Sequence, residues 1–342
     1  MRTRLKNFSQ QAHQTNSIPL TPPASISFKN MYPGYIEPPL EFKLVDSQGI
    51  PTRAKLWPSK KPCQTYLLFI PGTSNPSQRR TILIKGNPGV ISYYDEFLST
   101  LHEDSPSTTI LGLSLAGHEE YELSSPLSLQ QQIENKLRIV DMILSSPPFS
   151  SISPVSQDTA PKLVVMGHSV GAYMALQVLK QRPQNVDHLF LLFPTISHIS
   201  KGGIFSRFSS LMTSIPGVPS LLGWMTFLLR FIFPIPLLAL LLRFGHSLPG
   251  TSLTTTLYKF FNPSSVHSFC HLAKYEFREI KELDMDSLAK YSKRITAYFA
   301  VKDRWVPQFA RDQIISIVNR NGGDAILCNE GFPHAFSLGS FC

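Results

Sequence analysis

The stretch Leu163-Val-Val-Met-Gly-His-Ser-Val-Gly171, continuing as Ala172-Tyr-Met-Ala-Leu176, decides how this chain is read. Leu163 to Met166 is an unbroken apolar run, which suits a strand buried on both faces of a parallel sheet. Gly171 to Lys180 is Ala-rich and suits a helix. Between them, Gly167-His168-Ser169-Val170-Gly171 sets a serine on a sharp turn. Side chains at either glycine would collide with neighbouring backbone. The turn lifts the hydroxyl above the sheet and puts the positive end of the next helix beneath any charge that develops there. Five residues alone are a weak signal, but a strand before and a helix after make Ser169 a candidate nucleophile. His168 stands beside it, yet adjacent residues on such a turn point apart, so it reads as a packing residue rather than the base.

Working outward, short strands are expected at Glu41 to Val45, Ala54 to Trp57 and Tyr66 to Ile70, with a shorter apolar run at Thr81 to Ile84. Tyr93 to His102 reads as a helix and Thr109 to Leu113 as a strand. Leu129, Ile133, Leu137, Val140 and Leu144 recur at helical spacing. Ser145 to Pro161 is Ser- and Pro-rich and reads as a loop. After a strand at His188 to Phe193 the alternation breaks, and it resumes with a strand at Ile295 to Val301, a helix from Gln308 to Val318 and a strand at Ala325 to Cys328. Strands alternating with helices predict a doubly wound, mostly parallel α/β sheet, with the middle of the chain inserted above its carboxyl edge.

A serine nucleophile needs a base and a group to orient it. In this architecture they follow in the order serine, acid, histidine. His334 in Gly331-Phe-Pro-His334-Ala-Phe lies on a loop after the last strand. Asp303 in Val301-Lys-Asp303-Arg-Trp lies just past the preceding one, where a carboxylate holds the imidazole tautomer. Asp284 and Asp286 precede that strand and read as solvated or capping residues. Two donors must face the oxyanion. The Val170 N–H supplies one; Asn87, in the loop Gly86-Asn87-Pro88-Gly89, is the candidate for the other, since Pro88 has no N–H.

Composition narrows the alternatives. The formal charge is +9, but Lys and Arg do not form runs of the kind that track phosphates, which argues against nucleic acid. Cys63, Cys270, Cys328 and Cys342 lack metal or disulfide-framework spacing. Charged residues make up only 16% and hydrophobic ones 42%, so apolar surface is left over beyond the core. Residues 1–38 read as a mobile polar leader without a secretory signal, which keeps the chain on the cytosolic side of any membrane. A serine nucleophile activated by a histidine and an acid calls for no metal and no organic cofactor.

Several segments together resemble the lipid-droplet-associated hydrolases, a branch of the α/β-hydrolase fold. They are Phe69-Ile-Pro-Gly72, Gly86-Asn-Pro-Gly-Val-Ile-Ser-Tyr-Tyr-Asp-Glu-Phe97, Leu115-Ala-Gly-His-Glu119, Leu127-Ser-Leu-Gln-Gln-Gln-Ile133, Gly167-His-Ser-Val-Gly171, Leu191-Leu-Phe-Pro-Thr-Ile196, Asp303-Arg-Trp-Val-Pro307 and His334-Ala-Phe336. The resemblance implies a carboxylic ester hydrolase acting on sterol or acyl esters, associated with lipid droplets and the endoplasmic reticulum. One departure stands out. In the family the Pro-Gly runs straight into Asn-Pro-Gly, whereas here Thr73 to Gly86 intervenes, as an inserted loop or a retained stretch of misread gene.

Leu221 to Phe244 is almost wholly apolar, but Arg230 and the Pro234-Ile-Pro236 pair argue against a straight membrane span. A kinked pair dipping into one leaflet or a droplet monolayer fits, with Leu221, Trp224, Phe227, Phe231, Phe233, Leu238 and Leu241 as contacts. A lid packed on the sheet would bury the same residues. The organisation expected is a leader (1–38), a first core part (39–196), a helical lid (197–292) and a second core part (293–342). Two rival functions stay open: a droplet-surface structural protein with weak or no catalysis, and a soluble small-ester or thioester hydrolase.

Overall fold

The computed structural model describes residues 39–61, 65–71, 73–74, 87–119, 123, 125–145, 162–246, 250–328 and 331–338. The leader, the apolar run Thr81 to Ile84 and nearly all of the Ser/Pro-rich loop lie outside them.

Eight strands form one sheet: β1 (Leu40–Val45), β2 (Pro51–Trp57), β3 (Thr65–Ile70), β6 (Thr108–Leu113), β7 (Lys162–His168), β8 (His188–Leu192), β9 (Ile295–Ala300) and β10 (Asp324–Cys328). A separate two-residue ladder pairs β4 (Thr73–Ser74) with β5 (Asn87–Pro88). The sheet order is β1-β2-β6-β3-β7-β8-β9-β10. Only β2 runs against its neighbours β1 and β6; every pair from β6 to β10 is parallel. This is the doubly wound, mostly parallel α/β sheet that the alternation predicts.

Helices cover both faces, as a buried parallel sheet requires. The apolar stripe of α2 (Leu129–Ser145) places Leu129, Ile133, Leu137 and Val140 in the core. Its last member differs from the predicted one: Ile143 is buried and Leu144 is exposed, because the stripe drifts by one residue over four helical turns. The expected helix at Tyr93 splits in two. A 3-10 turn, Ile91–Tyr94, leads into α1 (Asp95–Asp104), and all four residues of the turn are buried.

Between β8 and β9 lies a helical insertion: α4 (Ile204–Ser214), α5 (Val218–Ile232), α6 (Ile235–His246), α7 (Gly250–Thr255), α8 (Pro263–Glu279) and α9 (Met285–Tyr291). Pro234 ends α5 and separates it from α6, since it can neither donate nor continue the helix. α7 runs into a π-helical turn, Thr256–Phe260, which ties the insertion to the sheet. There Lys259 Nζ donates to Glu41 Oε1 and Ser92 Oγ, both at 2.8 Å, and Tyr93 and Thr256 share a hydroxyl bond of 2.8 Å.

α5 seats on α8 through a narrow stripe. Gly223 and Thr226 are its buried residues, and a Cβ on Gly223 would lie 2.9 Å from the Pro263 carbonyl. Leu222 packs half-buried against Phe260, Val266 and Cys270, and Arg230 donates to the Phe261 carbonyl at 3.0 Å. The other large residues face outward: Leu221, Trp224, Met225, Phe227, Leu228, Leu229, Phe231 and Ile232 are all exposed, with Phe231 81% accessible. Two of the anticipated contact residues behave differently. Leu238 is buried, because α6 turns that side toward the protein, and Phe233, the residue that caps the end of α5, is half-buried. The side chain of Leu241 lies outside the described residues. Among the described residues no single helix is long and apolar enough to cross a membrane; α4 and α5 would reach that length only together, across a 95° bend.

Candidate active site

α3 (Val170–Gln181) starts immediately after β7, and Ser169 is the hinge between them. Its backbone is held at φ 54° and ψ −123°, a region that side-chain-bearing residues rarely occupy. The Ser169 N–H bonds the Leu192 carbonyl of β8 at 3.0 Å, and the Ser169 carbonyl accepts from the Ala172 N–H at 3.0 Å. The glycines allow this. A Cβ on Gly167 would overlap the Gly171 carbonyl, and one on Gly171 would overlap the carbonyls of Ile70 and Pro71. Val170 is the first residue of α3, so its N–H belongs to the helix end that has no intrahelical acceptors.

The other two predicted residues converge on this turn. His334 Nε2 lies 2.9 Å from Ser169 Oγ, and His334 Nδ1 lies 2.7 Å from Asp303 Oδ2. A carboxylate only accepts, so Nδ1 carries the proton and Nε2 is left to accept from the serine hydroxyl. The remaining Asp303 oxygen accepts from the N–H groups of Trp305 at 2.8 Å and Val306 at 3.1 Å. Burial pushes the Asp303 carboxyl up, but the His334 charge and hydrogen bond, with the two amides, outweigh it and hold the group below the usual carboxylate range. Asp284 is elsewhere: it caps α9 through the Ser287 N–H and pairs with Lys180.

His168 does not approach the serine hydroxyl with either ring nitrogen. Its Nδ1 is 2.7 Å from the Tyr94 hydroxyl and its Nε2 is 2.8 Å from the His334 carbonyl. Burial, followed by the nearby His334 charge, pushes its pKa down to about 3. Around it sits a set of rings that the sequence reading did not assemble. Tyr94 meets Phe69 at 4.6 Å with the rings tilted, and Phe336 meets Phe97, His168 and Phe193 at 5.2, 5.2 and 5.4 Å. The Tyr-Tyr of the Asn-Pro-Gly segment was the available signal for Tyr94, and the Leu191-Leu-Phe-Pro-Thr-Ile196 segment the one for Phe193.

The expected oxyanion loop is described only in part. Asn87 lies in β5 opposite Ser74 of β4, rather than in an open loop, and its side chain lies outside the described residues. Gly89 closes the turn at φ +78°, and a Cβ there would run into Leu115. Among the described residues no three His, Cys, Asp or Glu side chains gather as metal ligands.

The family model described as lipid-droplet associated hydrolase matches residues 77–337, which includes the serine turn, Asp303 and His334. The chain belongs to the lipid-droplet-associated hydrolase family. Among its relatives is the Gallus gallus lipid droplet-associated hydrolase, 28% identical, with the match covering 75% of this chain and 79% of that one. The Homo sapiens protein of the same name is 26% identical over 74% and 78%. Among solved structures, an N-formylmaleamic acid deformylase from Pseudomonas putida superposes with a TM-score of 0.57 at 13% identity, covering 87% of this chain and 96% of that one. That likeness is in the fold, and the fold is the α/β-hydrolase one.

Two outcomes follow for this family member. Replacing Gly171 with Ala drives a methyl into the β3 carbonyls and lowers stability by about 3 kcal/mol, read as a fall in melting temperature. Asp303 contributes stability above its unfolded pKa, near 3.8, and loses it as pH falls through its lower folded value. Asp303→Asn therefore flattens the stability-versus-pH curve in that acid window, as measured by denaturant unfolding at a series of pH values.

Proposed function

We propose that this hydrolase cleaves carboxylic esters of lipids, sterol or acyl esters, through an acyl-enzyme on Ser169. The observation that carries the reading is the buried chain from Ser169 Oγ to His334 Nε2 and from His334 Nδ1 to Asp303 Oδ2, at 2.9 and 2.7 Å. His334 takes the hydroxyl proton as Oγ attacks the ester carbonyl. The oxyanion forms at the mouth of α3, toward the Val170 N–H, with the Asn87 amide as second donor. His334 then returns the proton to the departing alcohol, and water, activated by the same imidazole, releases the acid. Asp303, held as a carboxylate, keeps His334 in one tautomer and stabilises the imidazolium. Every catalytic side chain and oxyanion donor in this scheme comes from the chain; water is the second substrate.

The second part of the proposal is a surface: the exposed side of α5 and its neighbours rests on the phospholipid monolayer of a lipid droplet or on the cytosolic face of the endoplasmic reticulum. The names of the relatives point to droplets. The apolar face is far larger than the scattered exposed apolar residues of ordinary soluble surfaces. Charge supports it too. Between Asp187 and Glu276 there is no Asp or Glu, while Lys201, Arg207, Arg230, Arg243, Lys259 and Lys274 are present. Burying the eight exposed α5 side chains at about 1.5 kcal/mol each gives a gross gain of about 12 kcal/mol, before ordering costs. The division into leader, two core parts and lid fits this picture, with the lid as the lipid-facing part.

Purified wild type should hydrolyse emulsified long-acyl or sterol esters, and Ser169→Ala should lose turnover by about a millionfold. Asp303→Asn should fall by about ten-thousandfold. Equal inactivity of folded, droplet-bound wild type and Ser169→Ala would leave a surface-coating role as the better account, and equal activity would remove Ser169 as the nucleophile. Trp224→Asp with Phe231→Asp should weaken flotation with phospholipid-coated triolein droplets by about tenfold or more per residue, without changing the melting temperature or the hydrolysis of a short soluble ester. Undiminished flotation would remove α5 from the lipid contact.

A further inference from the structure

The proposed chemistry uses the serine turn, Asp303 and His334, but leaves two features without a task. One is the Tyr-Tyr pair that follows Asn-Pro-Gly; the other is the histidine that precedes the nucleophile. The structure joins them. Tyr94 and His168 are both fully buried, 74 residues apart in sequence, and their hydroxyl and Nδ1 lie 2.7 Å apart. The other ring nitrogen of His168 lies 2.8 Å from the backbone carbonyl of His334, 166 residues further on.

The direction of this chain is fixed by its last member. A carbonyl oxygen only accepts, so His168 Nε2 must carry the proton and donate. In the neutral imidazole Nδ1 is then bare and must accept, so the Tyr94 hydroxyl donates. We propose that His168, locked in this tautomer by Tyr94, is a positioning residue that holds the main chain of His334 while Asp303 holds its side chain. The proposal rests on the reading of His334 as the base.

Three observations support it. First, the two ties act on one residue from different ends. Asp303 Oδ2 fixes Nδ1 at 2.7 Å and His168 fixes the carbonyl at 2.8 Å, which together set the 2.9 Å separation of Nε2 from Ser169 Oγ. A displacement of about 1 Å at a reacting group costs about 100-fold in rate. Second, His168 stays neutral. With its pKa pushed down to about 3 by burial and by the His334 charge, the donor and acceptor ends do not change across working pH, and no second cation competes with the imidazolium that forms on His334. Third, the chain is clamped sideways. The His168 ring meets Tyr94 at 5.8 Å, Phe193 at 5.9 Å and Phe336 at 5.2 Å, and Phe336 is only two residues from His334. The loop that carries His334 is thus held against β7 and the turn before α1 by one polar thread inside a ring cluster. His168 is not a second base: both its nitrogens are committed, and its low pKa leaves it a poor proton acceptor.

The test uses the full chain and the variants His168→Leu, His168→Gln and Tyr94→Phe. His168→Leu should lower kcat by about 100-fold with KM within about threefold. Tyr94→Phe should lower kcat by about tenfold. His168→Gln retains a side-chain N–H of similar reach and should recover most of the loss. His168→Leu combined with Tyr94→Phe should be no worse than His168→Leu alone, since both cut the same thread. Backbone hydrogen exchange over residues 331–338, measured in a Ser169→Ala background, should rise in the Leu and Phe variants and stay at the parental level with Gln. Unchanged kcat and exchange in folded His168→Leu would overturn the proposal, as would a Gln variant as impaired as the Leu one. If His168→Leu fails to fold, the milder Tyr94→Phe decides by the same two readouts. Retention of hydrolysis by Ser169→Ala would instead count against the triad reading, and the exchange data would still report whether His168 holds the loop.

Discussion

The constraint on which the rest depends is the closeness of α3 to β3. The first turn of α3 lies so near the end of that strand that Gly171 has carbonyl oxygens of Ile70 and Pro71 where any side chain would begin. This contact pins the helix start, forces Ser169 into its positive-φ conformation and aims its hydroxyl away from the sheet. It also sets the frame to which every other loop at this edge must conform. The Leu192 carbonyl of β8 takes the Ser169 N–H, and the Thr195 N–H reaches the Ser169 carbonyl at 3.3 Å, so the next crossover is registered to the same turn.

The order of strands follows from parallel pairing. Because β7, β8, β9 and β10 run side by side in one direction, their carboxyl ends lie along one edge. The loops after β7, β9 and β10 therefore bring Ser169, Asp303 and His334 together, although 165 residues separate the first from the last. Asp303 is buried and accepts three hydrogen bonds, two from main-chain N–H groups and one from His334, with the His334 charge beside it. Burial in that state favours ionised Asp303 only because those partners exceed the desolvation it suffers.

Much of this was legible in the sequence, for identifiable reasons. The glycines around Ser169 and the apolar runs of β3, β6 and β7 follow from local steric and periodic rules, Asp303 and His334 from the chain order of the architecture, and the geometry brings all three site residues together. What escaped was of another kind. Tyr94 touches His168 only because the sheet folds β3, β7 and the turn before α1 together, and no spacing encodes such a meeting. Leu144 is exposed and Leu238 buried, each opposite to what its pattern suggests, because which side of a helix faces the core is set by its tertiary neighbours. Asn87 sits in a short ladder with β4 because Thr73 and Ser74 of the intervening stretch are there to pair with it, a partner that the family pattern without that stretch would not suggest.

The way α5 is mounted has a consequence for the life of the protein outside lipid. It meets the rest of the chain along Gly223, Thr226, Leu222 and Arg230, while eight large apolar side chains on its other side face outward and add little to holding the fold together. The molecule can thus be fully folded and still be uncomfortable in water. Under the proposed lipid contact, its aqueous form would be prone to self-association and to capture by chaperones, and its abundance would track how much lipid surface the cell makes available. Supply of that surface, rather than synthesis of the chain, would then set how long each copy persists.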